Sequence, residues 1–238
     1  SFFNFNCLIL TAVLRQIHKH FFKTITMRKL LLFTTAVLMA TTQIFGQTTI
    51  SFTEVIGTPF TGVSGGSIAF SDVDNDGDED LLITGEGGGV RHAELYINDG
   101  LGNFTLVIGT PFNGVRNSSI AFSDIDNDGD EDVLITGYYT SYITELFIND
   151  GLGNFSLVTG TPFTGVSSAS IAFSDVENDG DEDVLISGWD NNGVSLSELY
   201  INDGLGNFSL VTGTPFTGVW NSSIAFSDID NDGDEDVL

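Results

Sequence analysis

Nine-residue acidic segments recur four times in this chain and give it its most distinctive chemistry. The first reads Asp-Val-Asp-Asn-Asp-Gly-Asp-Glu-Asp, and we number the segments loop 1 (72–80), loop 2 (124–132), loop 3 (175–183) and loop 4 (228–236). Carboxylates at alternate positions repel by ~1 kcal/mol per pair even in water, and by more where water is scarce. A cation must offset this repulsion, and a carboxylate-rich loop is what calcium prefers. The segments therefore predict calcium (Ca2+), about one ion per repeat.

The acidic segments dominate the charge of the chain. All 33 acidic residues follow Gln47, where only Arg91 and Arg116 are basic, so two positive charges against 33 negative ones leave −31. A surface this acidic excludes nucleic acid and anionic membrane surfaces as partners. Hydrophobic residues make up 41% of the chain, which distinguishes it from an acidic disordered segment.

The first 47 residues differ in composition from the rest. Residues 27–47 begin with Met-Arg-Lys and continue with an apolar run from Leu30, the layout of a secretory signal peptide. The run is too short for a membrane span, so we predict a secreted protein, extracellular or on the cell surface, with no span in the mature chain. Residues 1–26 lack methionine. We interpret them as upstream sequence, untranslated or with a misassigned start; the alternative is a genuine N-terminal extension or signal anchor.

Each acidic loop belongs to an internal repeat. The loop glycines, Gly77, Gly129, Gly180 and Gly233, lie 52, 51 and 53 residues apart. In each unit strand A precedes the loop, strand B follows it, and strands C and D flank an Asn-Asp-Gly-Leu-Gly turn whose residues tolerate positive φ. Units of about 40–50 residues with four strands are typical of propeller blades. We therefore predict an all-β fold, a β-propeller-type array of four-stranded blades, over residues 48–238.

The array holds about three and a third repeats of 51–53 residues. Residues 50–63 align with strand D and its connection, one strand out of phase, and the sequence stops inside a strand that other units continue. Propellers typically have four to eight blades. We therefore expect an incomplete array, truncated at its C-terminus, that forms an open arc.

The repeat resembles FG-GAP and VCBS-type repeats, the bacterial relatives of the integrin α-chain propeller. The resemblance rests on Asp-x-Asp-x-Asp-Gly-x-x-Asp followed directly by an apolar strand and on Asn-Asp-Gly-x-Gly-x-Phe later in the unit, and it covers residues 48–238. The Phe-Gly and Gly-Ala-Pro signatures are absent, so the relationship to integrins is distant. The resemblance implies a secreted bacterial protein that binds calcium.

The resemblance also implies which residues hold the metal. In this family, loop positions one, three, five and nine give carboxylates, and position seven gives its backbone carbonyl. Carried over, the ligands are Asp72, Asp74, Asp76, Asp78 and Asp80; Asp124, Asp126, Asp128, Asp130 and Asp132; Asp175, Glu177, Asp179, Asp181 and Asp183; and Asp228, Asp230, Asp232, Asp234 and Asp236.

Two kinds of glutamate in the loops have different predicted roles. Glu177 adds a methylene inside a tight ring of ligands, so we predict that the loop 3 site is the weakest or is reached through water. The acids at position eight are interpreted as solvent-exposed charges: Glu79, Glu131, Glu182 and Glu235. For the side chain of Asp78, at position seven, a solvent-exposed charge is the alternative interpretation.

Differences between the units concentrate in the B–C and D–A connections. These segments carry Tyr138, Tyr139, Trp189 and Trp220. In an up-and-down blade they lie at the end opposite the A–B and C–D turns, so constant and variable loops occupy opposite faces. Aromatic rings suit stacking on sugars or a protein. We predict that an extracellular protein or polysaccharide binds here; the alternative is that the rings pack against neighbouring blades.

Two functions remain open for the chain. One is a secreted, calcium-binding β-propeller for adhesion or ligand binding; the other is an accessory or scaffold propeller of a larger secreted carbohydrate-active enzyme. We do not expect the chain itself to be an enzyme, because its carboxylates recur in every unit whereas an active site needs unique residues. His92 is the one histidine after Gln47, and the sequence places no evident nucleophile with it.

Overall fold

The fold is built within residues 56–238. The computed structural model describes residue 51 and residues 53–238, and contacts divide the chain after Val55. The segments interpreted as upstream sequence and signal peptide, 1–26 and 27–47, lie outside the described residues. Among the described residues, no helix is long and apolar enough to cross a membrane.

Each repeat folds into an antiparallel sheet whose strands pair in the order A-B-C-D. Blade 1 contains β1 (Ile68–Ser71), β2 (Asp80–Gly87), β3 (Val90–Asn98) and β4 (Phe104–Leu106). Blade 2 contains β5 (Arg116–Ser123), β6 (Asp132–Tyr138), β7 (Tyr142–Asn149) and β8 (Phe155–Leu157), and blade 3 contains β9 (Val166–Ser174), β10 (Asp183–Asp190), β11 (Ser195–Asn202) and β12 (Phe208–Leu210). Strands β13 (Phe226–Ser227) and β14 (Asp236–Val237) pair as A and B of a fourth blade. The prediction of four-stranded blades is confirmed.

Strand B is the centre of each blade because its sequence is apolar on both faces. The run 81–83 in β2 is buried, as are 133–135 in β6 and 184–186 in β10. A strand covered on both faces reads as a continuous apolar run rather than an alternating one. Strand D, by contrast, is three residues long and exposes two of them, as in β4. It therefore forms the outer edge of the blade.

Two of the three hydrophobic cores in the described residues lie between blades, and the third covers the outer face of blade 1. One core joins Leu82 and Leu95 of blade 1 to Val133 and Phe147 of blade 2. A second core joins blades 2 and 3 with equivalent residues. Ile68 in β1 is 63% exposed, whereas Ile120 at the same place in β5 is 8% exposed and packs in the first core. Each blade is therefore stabilised mainly by burying the face of its neighbour.

The D–A connection acts as a strap between consecutive blades. The backbone N–H of Val115 donates to the carbonyl of His92 in blade 1 at 3.3 Å. Three residues earlier, Phe112 packs edge-on against Phe147 of blade 2, with ring centroids 4.9 Å apart. Phe163 repeats this contact on Tyr200 in blade 3 at 4.9 Å. The D–A connection thus hydrogen-bonds to the blade it leaves through Val115 and packs on the blade it enters through Phe112.

The sheets do not close into a ring within residues 56–238, consistent with the predicted incomplete array. Residues 53–63, which align with strand D in the sequence, form no strand and are followed by a single bridge between Ser64 and Glu86. Phe60 nevertheless packs on Tyr96 at 5.2 Å and on Phe104 at 5.1 Å. This segment therefore repeats the strap rather than the strand.

Candidate metal sites

The acidic loops wrap around the carboxylate of their first residue. In loop 1, Asp72 accepts the backbone N–H groups of Asp76 at 3.0 Å and Gly77 at 2.9 Å. Asn75 has φ of 59° and Gly77 has φ of 94°, values near those at the same positions of the other loops. These left-handed residues turn the chain sharply enough for the alternating acids to point inward.

In loops 1 to 3 the ninth residue is a buried carboxylate that ties the loop to strand C. Asp132 is fully buried and accepts the N–H of Ile125 at 3.2 Å and that of Asn149 at 2.8 Å. Burial raises the pKa of Asp132 to about 7, against the opposing effect of these two hydrogen bonds, and repulsion from Asp126 and Asp128 adds to the rise. The same causes raise the pKa of Asp80 to about 6.

Three of the four loops bring carboxylate oxygens within 4.8 Å of one another. The groups are Asp72, Asp74 and Asp80 in loop 1; Asp124, Asp126 and Asp128 in loop 2; and Asp228, Asp230 and Asp236 in loop 4. Loop 3 forms no such group among the described residues, and it is the loop with Glu177 at position three. The glutamate places its carboxylate one methylene further out, as the sequence indicates.

Unpartnered buried oxygens test whether these residues fit a metal ion. The Oδ1 atoms of Asp74 and Asp126 are buried without a hydrogen-bond partner, as are the amide oxygens of Asn98, Asn149 and Asn202. Burial and the neighbouring acids also raise the pKa of Asp74 and of Asp126. A buried acceptor without a donor is costly, and all of these atoms are hard oxygen ligands. The residues therefore fit a divalent cation such as calcium, held by carboxylates and carbonyls.

The side chain at position seven has a role that sequence reasoning missed. Asp130 was expected to offer only its carbonyl, yet its carboxylate accepts the amide of Asn75 from the preceding loop at 2.7 Å. It also lies against Gly151 in the C–D turn, where an added Cβ would overlap it. The signal available in the sequence was repetition: asparagine at position four and glycine in the turn recur in every complete unit.

The prediction that all position-eight glutamates are exposed is wrong for the two middle loops. Glu79 and Glu235 are exposed, whereas Glu131 and Glu182 are half-buried. Burial, with repulsion from Asp124 and from the glutamates of the adjacent loops, raises the pKa of Glu131. These side chains are covered because consecutive blades bring them together.

At the opposite end of the blades, aromatic side chains surround a recess. Trp189 and Trp220 meet edge to face at 5.5 Å, and Tyr142 and Asn117 complete the lining with two serines. The expected exposure holds for Trp220 and Tyr139, which are 50% and 40% exposed. Tyr138 and Trp189 are instead half-buried. The rings therefore pack between blades, as the alternative interpretation predicts, and Trp220 and Tyr139 keep an exposed edge.

Both arginines of the folded region converge on one tyrosine at this end. Their guanidinium carbons lie 4.8 Å (Arg91) and 5.1 Å (Arg116) from the centre of the Tyr138 ring. Arg116 also pairs with Glu86 at 3.2 Å. His92, by contrast, is engaged at both ring nitrogens, with Glu94 at 2.8 Å and the carbonyl of Gly87 at 3.2 Å. The His92 ring is therefore held in place by hydrogen bonds to its own blade.

The blades and their acidic loops define a class, the β-propeller-type repeat proteins that carry one acidic loop in each blade. The model of the FG-GAP-like repeat matches residues 72–135, 124–186 and 175–238. The chain therefore belongs to the FG-GAP-like repeat family. The first two matches each run from the first aspartate of one loop to strand B after the next loop.

Similarity to individual proteins is limited. No curated protein matches the chain. Among solved structures, the chain is similar to a lectin of Agrocybe aegerita described as specifically recognising non-reducing terminal N-acetylglucosamine, with a TM-score of 0.44 and 20% identity. The match covers 61% of this chain and 37% of the lectin chain, so this chain corresponds to well under half of that structure.

Proposed function

We propose that this chain is a secreted, calcium-stabilised β-propeller module that binds an extracellular protein or polysaccharide through its B–C and D–A connections. The observation that carries the binding role is the recess between Trp189, Trp220 and Tyr142, at the end of the blades opposite the acidic loops. The chain acts by binding rather than by catalysis, because its acidic groups are repeated structural elements.

Calcium stabilises the A–B loop of each blade. The family loop assigns the ion to carboxylates such as Asp74 and Asp80 and to the carbonyl of Asp78. A bound ion would supply positive charge that favours the ionised carboxylates against the burial and the repulsion that raise the pKa values of Asp74 and Asp80. Sites of this kind need to bind only at roughly 10⁻⁴–10⁻³ M to be filled outside a cell.

The variable end differs from the acidic end in both charge and chemistry. Arg91 and Arg116 are the only basic residues after Gln47, and both lie beside Tyr138 at this end. An anionic group on a ligand is therefore accommodated here and repelled by the acidic loops. Trp220 offers an open aromatic face on which a sugar ring or an apolar side chain stacks.

The proposed ligand site is tested by substitution at Trp220. This ring is 50% exposed, so Trp220→Ala removes contact area without opening a core. The wild-type chain is screened on arrays of glycans and extracellular proteins in calcium, and its hits are tested again with the variant. We expect binding to fall at least about tenfold, or 1.4 kcal/mol, while calcium affinity stays unchanged.

Leu205→Ala is the matched control, because Leu205 is 73% exposed in the C–D turn at the acidic end. It should bind ligand like the wild type. Loss of ligand in Leu205→Ala with full binding in Trp220→Ala would place recognition on the acidic face and contradict the proposal.

Secretion is tested separately from binding. If residues 27–47 are a signal peptide, the exported protein should begin near Gly46–Gln47, which N-terminal sequencing measures. A mature protein that retains Met27 would disprove this part of the proposal.

A further inference from the structure

Asparagines at position four connect each acidic loop to the next one. The side-chain amide of Asn75 donates to Asp130 Oδ1 at 2.7 Å, that of Asn127 to Asp181 Oδ1 at 2.8 Å, and that of Asn178 to Asp234 Oδ1 at 2.9 Å. The same bond therefore spans every pair of consecutive loops, always from loop n to loop n + 1. An amide that donates to a carboxylate makes a charge-assisted hydrogen bond, stronger than one between neutral groups.

The acceptor of this bond is the residue whose carbonyl is assigned to the metal. In loop 3, the N–H of Asp181 donates to Asp179 Oδ1 at 3.0 Å, while its carboxylate accepts the amide of Asn127. With both the N–H and the side chain held, the orientation of the peptide carbonyl at position seven is restricted. Asn127 in loop 2 therefore helps to aim a carbonyl ligand in loop 3.

The donor is itself fixed by its own loop. Asn127 lies between Asp126 and Asp128, two assigned ligands of loop 2, and its backbone is left-handed with φ of 59°. Ion binding that draws Asp126 and Asp128 together also fixes the direction of the intervening side chain. Order in loop 2 is thereby transmitted to loop 3.

A second bridge runs in parallel through strand C. The side chain of Asn202 donates to the carbonyl of Ile125 in loop 2 at 2.7 Å, and its backbone N–H donates to Asp183 Oδ1 in loop 3 at 2.8 Å. Asn149 makes the same bridge between loops 1 and 2. Its side chain donates to the carbonyl of Val73 at 2.9 Å, and its backbone N–H donates to Asp132 Oδ1 at 2.8 Å. Loops 1 and 2 thus share two direct connections, as do loops 2 and 3, and all of them are made by asparagine.

We propose that Asn75, Asn127 and Asn178 are positioning residues that couple the cation sites in series, so that filling one site raises the affinity of its neighbours. The inference rests on the proposed calcium binding. Coupling of this kind is reciprocal and typically amounts to about 5–150-fold in affinity. Calcium uptake should therefore be cooperative along the array.

The test is calcium titration of the full chain by isothermal calorimetry, comparing wild type with Asn127→Gly. Glycine removes the amide and tolerates the left-handed backbone. We expect the number of sites to stay the same, the Hill coefficient to fall, and at least one site to weaken by ~5-fold. A titration of Asn127→Gly identical to wild type would overturn the proposal.

Asn231→Gly is the matched control, since Asn231 occupies the same position with φ of 60° and meets no following loop among the described residues. It should titrate like the wild type. If the wild-type chain takes up no calcium, the proposed metal sites fail as well; if it binds calcium with independent sites, only the coupling fails.

A second pair of variants covers the case in which Asn127→Gly does not fold. Asp181→Asn keeps the backbone carbonyl and the size of the side chain but replaces the charge-assisted bond with a neutral one. Asp78→Asn makes the same change in loop 1. Among the described residues, no asparagine of a preceding loop donates to Asp78. A greater loss of cooperativity in Asp181→Asn supports the coupling, and equal losses contradict it.

Discussion

At the scale of single residues, the acidic loops hold their first and ninth carboxylates in two different environments. The first carboxylate of each loop, such as Asp72, is held by backbone N–H groups within the loop. The ninth carboxylate of loops 1 to 3 is buried between the loop and strand C, and the pKa of Asp132 at this position is raised to about 7. A buried carboxylate whose pKa is raised is one that the folded chain ionises at a cost.

This arrangement predicts an unusual pH dependence for the calcium-free protein. The pKa values of Asp80 and Asp132, about 6 and about 7 in the folded state, exceed the ordinary value of 3.8. Between pH 3.8 and these folded-state pKa values, the folded state binds more protons than the unfolded state. The free energy of unfolding therefore decreases as the pH rises through 6 to 7. The Tm of calcium-free protein should therefore be higher at pH 5 than at pH 8.

Saturating calcium should flatten or reverse this trend, because the ion binds deprotonated carboxylates and competes with protons. Thermal unfolding followed by circular dichroism at both pH values, with and without calcium, measures all four states. A Tm of the calcium-free protein that is lower at pH 5 than at pH 8 would contradict the raised pKa values of Asp80 and Asp132.

Glu177 is the residue at which one site is expected to differ from the others. Glu177→Asp should strengthen calcium binding at loop 3 by roughly tenfold, or 1.4 kcal/mol, because it restores the shorter side chain found at position three elsewhere. The reciprocal change Asp126→Glu should weaken loop 2 by a similar factor. Calorimetric titration measures both, and unchanged affinity in Glu177→Asp would disprove the effect of the methylene.

At the scale of elements, each A–B loop depends on the C–D turn of its own blade. Gly151 has φ of 71°, and an added Cβ would overlap the carboxylate of Asp130; Gly160 has φ of 83° with open space around its Cα. Both substitutions to alanine cost about 1–2 kcal/mol for the left-handed backbone. Gly151→Ala should cost clearly more, because it also displaces Asp130.

Thermal unfolding of Gly151→Ala and Gly160→Ala separates these two costs. About 1 kcal/mol lowers the Tm of a chain of this size by roughly 2–4 °C. We expect the Tm of Gly151→Ala to fall at least twice as far as that of Gly160→Ala. Equal shifts would indicate that the turn and the loop are independent.

The blades themselves were predictable from the sequence, because the repeat length and the strand pattern depend only on residues within one unit. The 51–53-residue spacing, the apolar run of strand B and the turn glycines all act locally. The half-burial of Glu131 and Tyr138 was not predictable, since it depends on how the next blade lies against each residue. The role of Asn75 was missed for the same reason: its partner Asp130 is 55 residues away.

At the scale of the whole molecule, the chain after Gln47 carries a formal charge of −31. Such self-repulsion opposes the compact state, and cations bound at the proposed sites would offset it. Each proposed site would contribute about 2.7 kcal/mol with calcium at 100 times its Kd. Chelation should therefore lower the Tm by more than about 10 °C, as scanning calorimetry measures.

Magnesium is the control for this prediction. It demands a smaller, near-octahedral shell and keeps several of its waters, so it should restore less of the lost Tm than calcium at equal concentration. Full recovery by magnesium would indicate general charge screening rather than fitted sites.

The strap and the asparagine bridges carry a consequence for how such a gene changes length. The asparagine bridges and the strap contacts recur at the same positions of consecutive units, as in Asn75 on Asp130 and Asn127 on Asp181, and in Phe112 on Phe147 and Phe163 on Tyr200. A junction created by duplicating or deleting one whole unit would contain the same pairs of residues as the original. Recombination in steps of a whole repeat thus conserves these contacts, whereas a step of any other size disrupts them at the junction.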